Sequence, residues 1–459
     1  MSRENFTQNK VREFCQDETF RDYLTYVRET DVFLLYDKTE RYHKIIPDDL
    51  AMEEIIYNWS LSKLDKNISK NLIKDMVYQL KIICYKKLEE LSTGFMAFID
   101  KDLDLDTLEF VEHAPEYYAH HKINFKTQEL AKPIPQFLKF LREILVKENA
   151  NPDEDLIMVI QEMMGYYFME DLNPTVVFFL VGEGANGKSV LIRLIEEMVG
   201  ENHVSSYSIQ NLTTNKFAPV NLIGKKINLC SEEESKYMKA DKFKAMITHD
   251  MIECEKKYGA KFVCFKPQTK FLFATNEMPG FDSIGKAIQR RLKIIKFHKE
   301  IPEEKQDRNL LAKLKTEIPG IIKWAIEGAK RLKNNNYVFT KTDNMTKAYA
   351  EFEEVVSSPV QFLREFYIED EKGFISTNDL YEHYRDWCTG AGGRQKKSAS
   401  NFGRDLNKVL KLPGKVSWSA DLNKNVRGRQ LISKQYANPT STMDTIFEDG
   451  QVNAADLVV

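Results

Sequence analysis

Apolar residues between Asp48 and Leu91 recur every three or four positions: Ile55, Ile56 and Trp59, then Leu72, Ile73, Met76, Val77 and Leu80. That period marks one face of an amphipathic helix, and it predicts a charged, mostly helical region over residues 1–145. Phe95 to Pro115 breaks the pattern with a short strand-and-turn stretch. Ala131 to Gly165 returns to two proline-punctuated helices. From Thr175 to Phe297 the texture changes. Short β-branched or aromatic runs (Thr175–Val181, Lys226–Cys230, Lys261–Phe265, Lys270–Ala274, Leu292–Phe297) alternate with helical stretches, as in an α/β core. A helical stretch to about Lys333 precedes an asparagine run, Asn334–Asn336, that reads as a linker. Val355 to about Lys434 reads as a small helical module ending in a hairpin. Tyr436 to Val459 carries Asp444, Glu448, Asp449 and Asp456 but no Lys or Arg, the pattern of a disordered acidic tail.

Composition adds bounds rather than identity. The chain has 459 residues, 42% hydrophobic and 29% charged, room for several cored domains. A net charge of −3 excludes a surface that coats nucleic acid throughout, so any such contact must be local. One basic concentration exists: Arg385 to Gln430 holds eleven Lys and Arg against three Asp. Six scattered cysteines without a CxxC pair argue against a zinc ribbon or a disulfide framework. The N-terminus has no apolar signal region, and no apolar run is long enough to span a bilayer, so the expected location is the cytoplasm, without membrane contact.

Chemistry is most legible at Gly182-Glu183-Gly184-Ala185-Asn186-Gly187-Lys188-Ser189, between an apolar strand and an amphipathic helix that starts near Val190. Glycines there let backbone N–H groups turn onto phosphate oxygens, beside the positive end of the helix. Lys188 is expected to reach the β- and γ-phosphates of ATP and Ser189 to take one Mg2+ position. Such a site also needs an acidic group at the end of a neighbouring strand. Lys226–Glu234 supplies Glu232, expected on the metal, and Glu233, expected as catalytic base. Phe271–Asn276 is a strand ending in an amide that can face the attacking water, and Arg290 or Arg291 can neutralise transition-state charge from a neighbouring subunit.

The order of these segments, with Lys244–Pro267 and Ile288–Phe297 between and after them, resembles superfamily 3 helicases of the phage, plasmid and poxvirus primase-helicase branch. The resemblance covers about Glu162 to Phe297 closely. It extends more weakly to Gly94–Thr107 and to Ser358–Leu363, Leu380–Cys388 and Asn401–Leu406. It implies a multidomain chain: a helical N-terminal domain (1–145), an α/β AAA+ P-loop core (146–335), a winged-helix module (350–435) and the tail (436–459). It further implies a homo-hexameric ring moving 3′→5′ on single-stranded DNA, opening forked DNA as the replicative helicase of a mobile element, with a further role at duplex origin DNA. Asn276 matches the family's sensor, and Arg290 matches its arginine finger better than Arg291 does. Lys256, Lys257 and Tyr258 lie in its channel hairpin, where lysines contact phosphates and an aromatic face packs on bases.

There are departures. Thr248-His249-Asp250 stands where many relatives have Gly-Gly-Asp, and Glu255 replaces a common arginine. No segment resembling a primase catalytic domain precedes the motor, so primer synthesis is not expected. In the basic module Arg394, Lys396, Lys397, Arg427 and Arg429 are the expected duplex contacts. The competing reading is an AAA+ loader or DNA-bound switch that hydrolyses ATP without unwinding. A small-molecule P-loop kinase is disfavoured by Asn276, Arg290 and the basic module. Asp100, Asp102, Asp104 and Asp106 read as a half-exposed strand edge rather than a metal site, and His113, His120 and His121 as polar surface rather than zinc ligands.

Overall fold

The computed structural model describes residues 3–28, 30–63, 68–87, 91, 94–169, 175–233, 240–255, 262–279, 288, 290–356, 358–390, 397–419 and 424–434. The chain divides into two compact units, residues 1–279 with 284–349 and residues 280–283 with 350–459.

The first unit opens with α1 (Arg3–Gln16), β1 (Leu24–Val27), β2 (Val32–Asp37), β3 (Tyr42–Ile46), α2 (Asp49–Lys63), α3 (Lys70–Ile83) and β4 (Tyr85–Lys86). The four strands form a sheet in the order β3-β2-β1-β4, antiparallel except for the parallel β1–β4 pair. The helical expectation for residues 1–145 is therefore corrected to mixed α/β. Periodicity revealed α2 and α3, whose Ile56, Trp59, Met76 and Leu80 close over Phe14. It missed β1 because all four of its residues are buried, which removes the alternation that marks a strand. Asp31 and Arg41 adopt φ of 53° and 56° at the turns that fold these strands back.

A second small sheet, β5 (Phe95–Ala97), β6 (Asp102–Asp104) and β7 (Phe110–Val111), matches the predicted strand-and-turn stretch. Its Asp102 is not half-exposed, as the alternation suggested: it is 1% exposed and accepts from His113 Nδ1 at 2.9 Å. His121 is likewise buried rather than on the surface, its Nδ1 lying 2.7 Å from Nδ1 of His203. Buried polar groups need such partners, because desolvation without a hydrogen bond is costly.

After α4 (Pro135–Ile144) and α5 (Glu154–Tyr166) come β8 (Val177–Val181), α6 (Lys188–Val199), β9 (Val204–Ser205), α7 (Ile209–Thr214), β10 (Ile227–Cys230), α8 (Ala240–Ile247), β11 (Ile252–Glu255), β12 (Phe262–Phe265), β13 (Lys270–Thr275) and β14 (Leu292–Lys296). Five of these strands make a parallel sheet ordered β14-β8-β13-β10-β9, while β11 and β12 form a separate antiparallel hairpin. Every residue of β10 and β13 is buried, as expected for central parallel strands covered on both faces.

Two helices, α9 (Leu310–Lys315) and α10 (Ile318–Asn334), complete the core's flank. α10 meets α5 almost backbone to backbone. A Cβ on Gly328 would lie 2.2 Å from the Gln161 carbonyl oxygen, and one on Gly165 2.3 Å from that of Ala325. α11 (Asp343–Val356) carries Asn344, whose side chain accepts from Lys296 N–H at 2.9 Å and donates to Lys296 O at 2.8 Å. That amide closes edge strand β14 as a neighbouring strand would.

The second unit contains α12 (Ser358–Phe366), β15 (Tyr367–Glu369), β16 (Ile375–Ser376), α13 (Thr377–Gly390), α14 (Ala399–Val409), β17 (Lys415–Ser419), β18 (Lys424–Arg429) and β19 (Leu431–Ser433). β16, β18 and β17 form an antiparallel sheet, and β15 pairs with β19. Phe362, Leu380, Tyr384, Phe402 and Leu406 make its core. The acidic tail lies outside the described residues.

Candidate nucleotide and nucleic-acid sites

The phosphate-loop sequence occupies the turn from β8 into α6 and is held from several sides. Ile301 N–H donates to Ala185 O at 2.8 Å, and Gly182 N–H donates to Thr275 O at 3.2 Å. Gly182 has no room for a side chain, since a Cβ would sit 2.8 Å from Phe297 O. Gly187 caps α6 with φ of +85°, and a Cβ there would meet Ile144 Cγ2 at 2.7 Å. Both positions need glycine.

Within this turn Glu183, Gly184 and Ala185 form an exposed rim, while Asn186 faces inward at 4% exposure. The Lys188 ammonium is folded back into the loop. It donates to Gly182 O at 2.5 Å, Asn186 Oδ1 at 2.9 Å and Glu183 O at 3.1 Å. Burial holds its pKa below the usual lysine value. Ser189 is exposed at the start of α6 and Val190 is half-buried. A buried ammonium, backbone N–H groups and a helix N-terminus are the donors that a polyphosphate anion requires.

Sheet order decides what joins the loop. β13 lies between β8 and β10, so the carboxyl ends of all three strands share one edge. Asn276, exposed, leaves β13 on that edge, and Glu232, also exposed, leaves β10 there. Glu233 turns inward at 5% exposure. Its N–H donates to Ala274 O at 2.7 Å, its carbonyl accepts from Thr275 Oγ1 at 3.1 Å, and its Oε2 accepts from Ile209 N–H at 2.9 Å. The nearby Cys230 thiol is pushed up to about 12 by burial and by the Glu233 charge. Sequence reasoning missed the α7 contact, although Ser208 ahead of Ile209 is a readable N-cap whose side chain accepts from Asn211 N–H.

Arg290 and Arg291 do not join this group within one chain. They precede β14, whose Leu292 pairs with Val177, the first residue of β8. Arg291 donates to Thr175 Oγ1 at 2.9 Å, and Arg290 is exposed. At about 3.3 Å per residue, the length of β8 puts them roughly 20 Å from the phosphate-loop edge.

The β11–β12 hairpin explains both sequence departures. His249 adopts the left-handed φ of 54°, and its Nδ1 lies 2.5 Å from Pro267 O. A non-glycine residue is thus pinned where the turn needs positive φ. Glu255 donates its N–H to Lys216 O at 3.0 Å and accepts the Lys216 ammonium at 2.7 Å. α7 therefore carries Glu233's capping carboxylate at one end, and the hairpin base is fastened two residues beyond the other. Lys256, Lys257 and Tyr258 lie outside the described residues.

In the second unit Arg427 is exposed on β18, opposite Val416, while Arg429 bonds to Asn407 of α14. Lys397 is engaged internally: its ammonium pairs with Asp405, its N–H donates to Tyr384 Oη at 3.0 Å and its carbonyl accepts from Tyr381 Oη at 3.0 Å. Arg394 and Lys396 lie outside the described residues. Asn401 and Arg404, one turn apart on exposed positions of α14, are further polar groups that the site expectations omitted. Among the described residues no cluster of three or more His, Cys, Asp or Glu could hold a metal, and no helix is long and apolar enough to cross a membrane.

Residues 180–291 match the family described as "Family of unknown function (DUF5906)", and residues 360–449 match "Poxvirus D5 protein-like". "Putative helicase L207/L206" of Acanthamoeba polyphaga mimivirus is 23% identical over 364 residues, 72% of this chain and 37% of that one. "Putative helicase 121R" of Invertebrate iridescent virus 3 is 21% identical over 330 residues, 64% of this chain and 34% of that one. The chain thus spans little more than a third of these relatives. A solved structure, "The A form apo structure of NrS-1 C terminal region-CTR", overlays with a TM-score of 0.47 at 15% identity, covering 88% of this chain and 95% of that one. The chain is therefore similar, at low identity, to viral proteins that carry the name helicase, and its residues 360–449 match the poxvirus D5 protein-like model.

Proposed function

We propose that the chain is an ATP-hydrolysing superfamily 3 motor of the AAA+ type that tracks 3′→5′ along single-stranded DNA and opens forks. It would serve as the replicative helicase of a phage, plasmid or genomic-island element. One observation carries this reading: Lys188, Asn276, Glu232 and Glu233 belong to a single sheet edge, while Arg290 lies at the other. A site so divided lacks its own arginine, and a neighbouring copy in a closed ring would complete it.

In this scheme the loop's N–H groups and Lys188 hold the triphosphate, the ammonium exchanging loop oxygens for phosphate oxygens. Ser189 and Glu232, both exposed beside the cradle, would hold Mg2+. That ion would neutralise phosphate charge when bound. Asn276 would orient water, and Glu233 would take its proton. The exposed Arg427 and the exposed face of α14 would meet duplex DNA, including an origin, following the helix–strand–helix–helix–hairpin order of a winged helix.

The test mixes two inactive proteins. Arg290→Ala should bind ATP but not hydrolyse it, Lys188→Ala should fail to bind, and mixtures should regain activity at hybrid interfaces. No rescue at any ratio would reject the shared site. Hydrolysis without unwinding of a forked substrate would instead favour a loader or switch.

A further inference from the structure

Two cysteines separated by most of the N-terminal region come together. Cys15 lies in the last turn of α1 and Cys84 caps α3. Both line a cavity of about 400 Å³ with Phe20, Leu24, Asp22 and Lys86. Both are half-buried, pack on the same apolar cluster and lie close enough for each thiol to perturb the other. Nothing in the nucleotide or DNA-binding reading uses them.

We propose that Cys15 and Cys84 form a thiol–disulfide exchange site for small-molecule disulfides of the glutathione class. The cavity gives a ligand access to the pair, and Asp22 and Lys86 on its wall offer one charge of each sign to a zwitterionic peptide. The thiols divide the labour. The neighbouring Cys84 lowers the Cys15 pKa, which favours the attacking thiolate, whereas Cys84 is held high by Cys15 and by burial. Cys15 attacks one sulfur of the incoming disulfide, forming a mixed disulfide and expelling one thiolate. Once Cys15 carries no charge, Cys84 deprotonates more readily, its proton going to the expelled thiolate. The Cys84 sulfur then attacks Cys15 and releases the second small thiol. Two protein thiols are oxidised and one small disulfide is reduced.

The other cysteines define the experiment. Among them Cys230, Cys254 and Cys388 are buried, and Cys264 alone is exposed. The full chain carrying Cys264→Ser is treated with oxidised glutathione and mapped without reduction. The expected product is one peptide pair linked through Cys15 and Cys84, with two thiols lost and no glutathione retained. In addition, Cys84→Ser should stop at a glutathione adduct on Cys15, and that adduct is read by mass even if the variant is less stable. A stable adduct on Cys15 in the parent, or both thiols still alkylatable after treatment, would overturn the proposal.

Discussion

The Glu233 carboxylate accepts the backbone N–H of Ile209 at 2.9 Å, so the group proposed to take a proton from water also holds the first N–H of α7. In Glu233→Gln the amide oxygen can still accept from Ile209 but cannot take a proton from water. ATP binding and thermal stability should stay near the parent values. Hydrolysis should fall by about 10²–10⁴-fold, measured by phosphate release. Unchanged turnover would remove Glu233 from the reaction.

Lys216 and Glu255 join α7's end to the hairpin base across 2.7 Å. The pair is partly solvated, so Lys216→Glu or Glu255→Lys should cost only about 0.2–1 kcal/mol of stability. Each single change should lower DNA-stimulated hydrolysis while leaving DNA-free hydrolysis in place, and the double swap should restore the stimulation. A double variant no better than either single would disconnect the pair from DNA sensing.

Gly328 leaves no space for a methyl group, with the Gln161 carbonyl oxygen 2.2 Å from a Cβ placed there. Gly328→Ala should therefore push α10 from α5 and destabilise the first unit by about 1–3 kcal/mol. Chemical denaturation would measure it. In an open helix the same change would stabilise by about 0.4–1 kcal/mol, so even the sign is informative.

Two buried histidines, His43 and His121, and the half-buried His203 predict acid sensitivity. Burial lowers His43 to about 4 and His203 to about 3, with His120 and nearby lysines adding to the effect, and it holds His121 well below the ordinary value of 6.5. The unfolded chain gains these protons as pH falls through about 6.5, whereas the folded chain resists until much lower pH. Their stabilisation is thus complete above 6.5 and is lost as pH falls toward the folded values. The slope approaches about 1.4 kcal/mol per pH unit for each histidine. Denaturation midpoints taken from about pH 7 to pH 5 should decline, and His203→Gln should flatten that decline.

The turn from β8 into α6 was readable because its backbone signals are local. Its glycines, Lys188 and Ser189 fall within one turn, and the flanking strand and helix announce themselves by period. The same holds for β8, β10, β13 and β14, whose apolar runs fall on Thr175–Val181, Lys226–Cys230, Lys270–Ala274 and Leu292–Phe297. α2, α3, α4, α5 and the β17–β18 hairpin were legible for similar reasons. Tertiary structure decided matters that depend on which distant segments meet. β1 became part of a sheet only by pairing with β2 and β4, and Asp102 became buried only when His113 reached it. Likewise, parallel strand order set Arg290 on the edge opposite Lys188, Lys216 supplied the partner for an otherwise anomalous Glu255, and the turn from α1 into the sheet brought Cys15 to Cys84. Sequence spacing encodes backbone conformation and amphipathic faces over a few residues, whereas these pairings arise from chain topology. That is why the strand–turn–helix around Lys188 could be named from sequence, while the edge of the sheet on which Asn276, Glu232 and Arg290 fall was set by strand order.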